Sequence, residues 1–197
     1  IGRLEAFSDG VIAILITIMV LELKVPHGHE LASLAPILPH LCAYILSFIY
    51  VGIYWNNHHH LFQAVDRVSG GILWANLHLL FWLSLFPVAT EWIGETHSAP
   101  WPTAVYGGIC LASAISYYIL QTTIIRHDGD GGRLRAAVGK DRKGKLSPLI
   151  YATAIGVSFV QPFAADGLYV LVALIWLVPD SRIESKVAPA LDPKHHA

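Results

Sequence analysis

Two groups of polar residues lie inside otherwise apolar stretches. Side chains of these types could bind an ion or transfer a proton. The first is Arg3, Ser8 and Asp9, at the start of the apolar run IGRLEAFSDGVIAILITIMVLEL. The second is the run YWNNHHH, which ends at His60 and is followed within a short distance by Asn76. A charge inside a bilayer is expensive, so it seldom remains there without a role. These residues are therefore the first candidates for a functional site.

Three consecutive histidines at 58–60 suggest a metal site. Neighbouring residues on a helix point about 100° apart, so the three rings cannot all face one ion. Metal sites on helices usually space their ligands three or four residues apart. We therefore expect no metal here, and instead expect one of these histidines to hydrogen bond with Asp9, because a carboxylate at that depth needs donors. The candidate donors are His58, His59, Asn76 and Arg3.

No catalytic pattern accompanies these residues. The sequence contains no HExxH or GxSxG run and no arrangement that indicates a Ser-His-Asp site, so we expect neither an enzyme nor a cofactor. The net charge of −1 argues against a nucleic-acid partner. One alternative remains, a proton relay between Asp9 and His58 in a proton-coupled secondary transporter. Such carriers often contain paired repeats and interrupted helices, and neither is evident here.

The composition predicts an all-α integral membrane protein. Hydrophobic residues make up 54% of the 197-residue chain and charged residues only 14%, whereas soluble domains carry roughly 25% charged residues. Windows of about 20 apolar residues predict six transmembrane helices, of which the last is short. The predicted spans are 2–23, 36–62, 71–93, 103–125, 147–163 and 166–178.

The basic residues give the predicted spans an orientation. An even number of spans places both termini on one side, and that side then holds every lysine and arginine except Lys24. By the positive-inside rule this side is cytoplasmic. The sequence thus predicts a six-helix transmembrane unit over residues 1–180 with a basic cytoplasmic loop at 126–146. Residues 181–197 are predicted to form a cytoplasmic tail.

The first span carries two apolar stripes at helical spacing. One contains Gly10, Ile14, Thr17, Ile18 and Leu21, and the other contains Asp9, Ala13, Ile16 and Val20. We expect the second stripe to bury Asp9 against the second and third spans, which leaves the first stripe free to face another surface. Simple packing is the alternative explanation for an Ile/Leu stripe, and a threonine in a membrane helix commonly bonds back to its own backbone.

Three segments in this order resemble the transmembrane-protein-175 family, the endolysosomal-type potassium channels and their prokaryotic relatives. Arg3–Asp9 resembles the R-x-x-x-F-S-D signature of that family at the start of its first helix. Tyr54–Phe62, YWNNHHHLF, resembles its W-x-x-H-H segment, and Trp74–Pro87 resembles its third helix with N-L and a later proline. The second half of the chain matches only in the number of spans.

The resemblance implies a potassium-selective or potassium-preferring cation channel in the plasma membrane of a prokaryote. First helices line the pore in this family, and a chain with one six-helix repeat should form a homotetramer. Potassium, or another monovalent cation, is then the permeant species. Ile14 matches the narrow isoleucine constriction, Ile18 and Leu21 match further apolar rings, and Thr17 matches the threonine layer linked to potassium preference. A ring of isoleucines at the axis dewets and can hold a pore closed.

The resemblance assigns the polar residues to packing around this pore rather than to the ion path. The signature residues pack with the ends of the second and third helices, and His60 leaves it open which histidine pairs with Asp9. The residues of this predicted network are Arg3, Phe7, Ser8, Asp9, Trp55, His58, His59 and Asn76.

Overall fold

The structure, a computed structural model, describes residues 1–63, 65, 67–128 and 142–177, and these residues form helices without strands. Most of the predicted basic loop and all of the predicted tail lie outside the described residues. The helices are α1 (Gly2–Leu21), a 3₁₀ helix (Leu31–Ile37), α2 (Leu38–Gln63), α3 (Gly70–Leu83), α4 (Phe86–Glu95), α5 (Pro100–Asp128), α6 (Arg142–Ser158) and α7 (Pro162–Leu177).

Four helical segments among the described residues are long and apolar enough to cross a bilayer. They are Gly2–Leu21, Leu31–Gln63, Gly70–Glu95 and Pro100–His127. The prediction of an all-α membrane protein is confirmed at this level. The remaining helices, α6 and α7, contain 17 and 16 residues.

Three differences from the predicted boundaries are the largest, and proline explains two of them. The third predicted span is not one continuous helix, because α3 ends at Leu83 and α4 begins at Phe86. Pro87 is the second residue of α4 and has no N–H to donate to the preceding turn. Pro162 likewise starts α7. The fifth predicted span, observed as α6, therefore ends before Pro162, and the sixth predicted span, observed as α7, begins earlier than predicted. Helix α6 also begins earlier than the fifth predicted span, at Arg142.

A cluster of buried aromatic rings joins five of the helices. Neighbouring rings in this cluster have centroids 5.5–6.4 Å apart. Its members are Tyr50, Phe86, Tyr106, Tyr151 and Tyr169. Their hydroxyl groups also bond across helices: Tyr50 donates to the Tyr169 carbonyl at 2.6 Å, and Tyr169 donates to the Thr103 carbonyl at 3.0 Å. This cluster holds α2, α4, α5, α6 and α7 together.

Helix α1 packs on the bundle through one side only, against α2, α3 and α4. We call this side the packed face. It consists of Ser8, Ile12, Leu15 and Met19, which are all buried. Their spacing of four, three and four residues keeps them on one side of a helix. The opposite side of α1 is left uncovered by the described part of the chain.

Candidate functional site

A chain of buried hydrogen bonds joins α1, α2 and α3. His58 Nε2 donates to Asn76 Oδ1 at 2.8 Å, and Asn76 Nδ2 donates to Ser8 Oγ at 2.9 Å. Ser8 Oγ in turn donates to the Leu4 carbonyl one turn earlier in α1, also at 2.9 Å. All three side chains are almost completely buried. In such surroundings a satisfied polar chain rigidifies the structure, whereas a broken one leaves costly unpaired groups.

The local sequence explains why these three side chains meet. Ser8 lies on the packed face of α1, one turn before Ile12. Asn76 is in α3, six residues after a helix start at which the Ser69 hydroxyl caps the Ile72 N–H. His58 also packs on Phe62, with 4.5 Å between the ring centroids. The arrangement fixes the rotation of α1 about its own axis relative to α2 and α3.

Asp9 forms a separate bond that corrects two of the predictions. Trp55 Nε1 donates to Asp9 Oδ1 at 3.0 Å, so the donor is an indole and not His58, His59, Asn76 or Arg3. The predicted burial of Asp9 is also wrong, because both Asp9 and Trp55 are exposed. The packed face begins at Ser8, one residue earlier than the predicted stripe, and one residue rotates a helix position by about 100°.

The signature residues therefore divide between two sides of α1. Ser8 and Asp9 form hydrogen bonds to neighbouring helices, as described above. Arg3 and Phe7 are exposed, and within the described chain the Arg3 side chain forms no hydrogen bond or ion pair. They lie on a part of α1 that the rest of the described chain does not cover.

The three histidines have three different surroundings. His58 is buried and bonds to Asn76. His59 is exposed, stacks on Trp55 with 18° between the ring planes, and lies 2.8 Å from the Gln63 amide nitrogen. His60 is half-buried. Among the described residues no group of three His, Cys, Asp or Glu side chains is placed to hold a metal ion. Nor does the structure pair Asp9 with His58, as a direct proton relay would require.

The side of α1 opposite the packed face carries the predicted pore residues. We call it the bare face, and it consists of Ile14, Thr17, Ile18 and Leu21. All four are exposed, and the exposed fraction reaches 57% for Ile14 and 81% for Leu21. The Thr17 hydroxyl donates to the Ile14 carbonyl at 2.8 Å, the backbone bond that is common for threonine in membrane helices.

A second polar cluster at the other end of α1 was missed by the sequence reasoning. Thr90 Oγ1 lies 2.6 Å from both Ser47 Oγ and the Phe86 carbonyl, and 3.9 Å from Met19 Sδ. Ser47 Oγ also lies 3.0 Å from the Tyr106 hydroxyl. Nothing in the sequence distinguishes Ser47 and Thr90 from the other small polar residues of these helices. Together with the Ser8 network, this cluster holds the packed face of α1 at both ends.

The fold and this site define an α-helical membrane protein whose first helix is fixed along one side and uncovered along the other. The sequence profile of the family described as "Endosomal/lysosomal potassium channel TMEM175" matches residues 3–87. That segment contains the Ser8 network, Asp9 and Trp55, and the whole bare face. The profile match therefore coincides with the candidate site.

Comparisons over the full chain agree with this match. A protein of Chryseobacterium sp. named as a potassium channel is 62% identical over 94% of this chain and 97% of its own length. The crystal structure of a lysosomal potassium-selective channel TMEM175 homolog from Chamaesiphon minutus superposes with a TM-score of 0.76 at 31% identity. The superposition covers 90% of this chain and 96% of the Chamaesiphon minutus chain. The chain belongs to the TMEM175 family, which is a family of channels and not of enzymes.

A vertebrate relative has a different name and length. The chicken TMEM175 protein, named as an endosomal/lysosomal proton channel, is 30% identical over 64% of this chain but only 28% of its own length. The family thus includes proteins named for potassium and for protons, and some of its members are much longer than this chain.

Proposed function

We propose that this chain forms a potassium channel in which the bare faces of α1 from four copies line a central pore. The observation that carries this proposal is the bare face itself, an uncovered stripe on a helix whose other side is fixed by hydrogen bonds near its start and by packing along its length. A single copy of α1 cannot enclose a path for ions, so several copies are needed. The family resemblance and the single-repeat length of the chain favour four.

The polar residues near the start of α1 support an aqueous or protein surface beside this helix. Asp9 lies seven residues after the helix start, about 10 Å along its axis. Both Asp9 and Arg3 are exposed in the single chain. If Asp9 faced lipid at that depth, its charge would cost up to about 3 kcal/mol, the figure for the bilayer centre. Neighbouring copies and the water of a pore mouth avoid that cost.

Ile14 and Thr17 have the chemistry for two different tasks along such a pore. A ring of Ile14 side chains offers only hydrocarbon, so water leaves the ring when it is narrow and ion passage stops. Thr17 uses its hydroxyl hydrogen in the bond to the Ile14 carbonyl. Its lone pairs remain acceptors for a partly dehydrated cation. Ile18 and Leu21 continue the apolar wall beyond this layer.

The proposed topology has six transmembrane helices, with both termini cytoplasmic in the plasma membrane of a prokaryote. The distribution of lysines and arginines supports it, since all but Lys24 fall on one side. Helices α6 and α7 would each be about 25 Å long, close to the thickness of the hydrocarbon core. Residues 1–180 then form the channel unit and residues 181–197 a cytoplasmic tail.

Flux through proteoliposomes tests the pore lining. We expect Ile14→Asn to raise potassium flux about tenfold, equivalent to about 1.4 kcal/mol of barrier, because an amide ring holds water. Ile45→Asn in α2 is the matched control, since Ile45 is 49% exposed against 57% for Ile14. Equal flux in both variants and wild type would contradict a pore lined by α1. A pH-sensitive dye in the same vesicles separates potassium flux from proton flux.

The mass of the assembly tests the number of copies. One chain has a mass of 21.6 kDa, so native mass spectrometry distinguishes four copies from two or three without ambiguity. A mass other than that of four copies would reject the tetramer but leave the flux result standing.

A further inference from the structure

A cleft lies on the far side of α2 from α1. It lies between α2, α5, α6 and α7 and holds about 530 Å³ of empty space, counted to its open mouth. Most of the side chains that line it are apolar or aromatic, which suits a hydrocarbon chain.

The cleft changes from polar to apolar along its length. Asn57 of α2, Gln121 of α5 and Ser147 of α6 line it near the point where α5 ends and α6 begins. Tyr50 and Ala114 line its other end, seven residues earlier in α2 and α5. Seven residues correspond to about 10 Å of helix. This gradient runs along the helices from the membrane surface toward the interior.

Gln121 places an amide group in the wall of this cleft, on a side chain that is 6% exposed. Ser147 is already bonded within the protein, since it accepts from Trp176 Nε1 at 2.8 Å and donates to the Lys143 carbonyl at 2.9 Å. The Gln121 amide nitrogen can donate a hydrogen bond to an ester or phosphate oxygen of a bound molecule.

The charges beside the polar end select the occupant. Lys145, next to Gly144 in the wall, is exposed, and so is Arg126, five residues beyond Gln121 in α5. Tyr118 at the rim is 55% exposed, on a helix that is apolar enough to cross the bilayer. The cleft is therefore accessible from the hydrocarbon region and positively charged at the surface.

We propose that this cleft binds an anionic phospholipid. An acyl chain of the lipid lies between Tyr50 and Ala114. An ester oxygen of the lipid accepts a hydrogen bond from Gln121, and the headgroup lies near Lys145 and Arg126. The occupant contacts the side of α2 opposite the one that carries Trp55. This binding does not depend on which ion the protein conducts.

Native mass spectrometry of the assembled protein tests the proposal, with phosphatidylglycerol and phosphatidylcholine added in equal amounts. Wild type is expected to retain phosphatidylglycerol at least fivefold over phosphatidylcholine, since one basic residue near an anionic surface is worth about fivefold. Ala114→Trp fills the cleft and should lower bound phosphatidylglycerol about tenfold. Ala152→Trp is the matched control on the exposed side of α6. Equal retention of both lipids by wild type, or equal retention by the two tryptophan variants, would overturn the proposal.

A second variant covers the case in which Ala114→Trp does not fold. Arg126→Gln combined with Lys145→Gln changes only exposed side chains. The preference for phosphatidylglycerol should fall toward parity in this double variant, because both charges that favour the anionic headgroup are removed. An unchanged preference would overturn the assignment of the headgroup to this end of the cleft.

Discussion

The two faces of α1 have similar side chains but different surroundings. The packed face is buried against three helices, whereas the bare face is uncovered by the described part of the chain. Isoleucine occurs on both, as Ile12 and Ile14, so hydropathy does not separate them. An apolar side chain in a membrane protein can face protein, lipid or a pore, and its type alone does not reveal which.

The polar contacts separate the two faces. Lipid tails are as apolar as leucine, so burial gives little preference for one rotation of a membrane helix over another. Hydrogen bonds supply that preference in α1, through the Ser8 network and the bond from Trp55 to Asp9. The rotation that satisfies these bonds leaves Ile14 and Thr17 uncovered. The polar residues thus decide where the apolar ones point.

The same substitution on each face is the strongest test of this comparison. Ile12→Ala should destabilise the protein by about 3 kcal/mol, because Ile12 is only 2% exposed and its removal leaves a cavity. Ile14→Ala should change stability by no more than about 0.5 kcal/mol, as at other uncovered positions. Thermal unfolding in detergent measures both.

Flux measurements complete this pair. Ile14→Ala should alter potassium flux despite its small effect on stability, and Ile12→Ala should lower the amount of folded protein. Equal destabilisation by the two variants would show that the bare face is packed against something other than a water-filled pore.

The Ser8 network should give the next largest effect. Asn76→Leu removes the acceptor of His58 and the donor to Ser8, and we expect a loss of about 2 kcal/mol from two interhelical bonds. Asn56→Ala is the control, because Asn56 is exposed and forms no side-chain hydrogen bond with the described residues. If the unfolding temperatures of both variants match wild type, these bonds do not fix the rotation of α1.

The sequence predicted the positions of these elements better than their rotation. The first predicted span, 2–23, differs from α1 by two residues because an apolar run of this length has few alternatives. The face that holds Ser8 was not predictable, since a helical stripe drawn from Asp9 and one drawn from Ser8 are equally apolar. Pro87 is a visible cause of the helix break at Ser84 and Leu85. The prediction missed the break because the hydropathy was averaged over windows that include both sides of it. Trp55 belongs to the predicted network, but nothing in the sequence indicates that its indole donates to Asp9.

The bond from Trp55 to Asp9 should matter less than the Ser8 network, because both residues are exposed. Trp55→Phe keeps an aromatic ring on His59 but removes the indole N–H, and we expect a loss of about 1 kcal/mol. Trp92→Phe is the matched control, with 43% exposure against 45% for Trp55 and no hydrogen bond from its indole within the described chain. Equal shifts in the unfolding temperature for both would assign the effect to ring size and not to the bond.

The smallest effect is expected at the far end of the molecule, in the ion pair between Lys24 and Glu95. The two side chains lie 2.9 Å apart but are 70% and 47% exposed, so water screens their attraction. The hydrogen bond to Glu95 raises the pKa of Lys24 above its usual value. Since a raised lysine pKa gives stability that is lost only as the pH rises through that pKa, the pair should contribute equally across the neutral range.

Lys24→Gln should therefore lower the unfolding temperature only slightly, and by the same amount at each pH between about pH 6 and pH 9, where the lysine is charged and Glu95 is ionised. A pH series of unfolding curves for wild type and variant measures this. A clear loss of stability in the variant would mean that the pair is shielded from water in the assembled protein. In that case α1 is held at this end by a charge pair as well as by the Met19 and Thr90 contact. The contrast between a fixed face and a bare face would then extend beyond the helix into the connection that follows it.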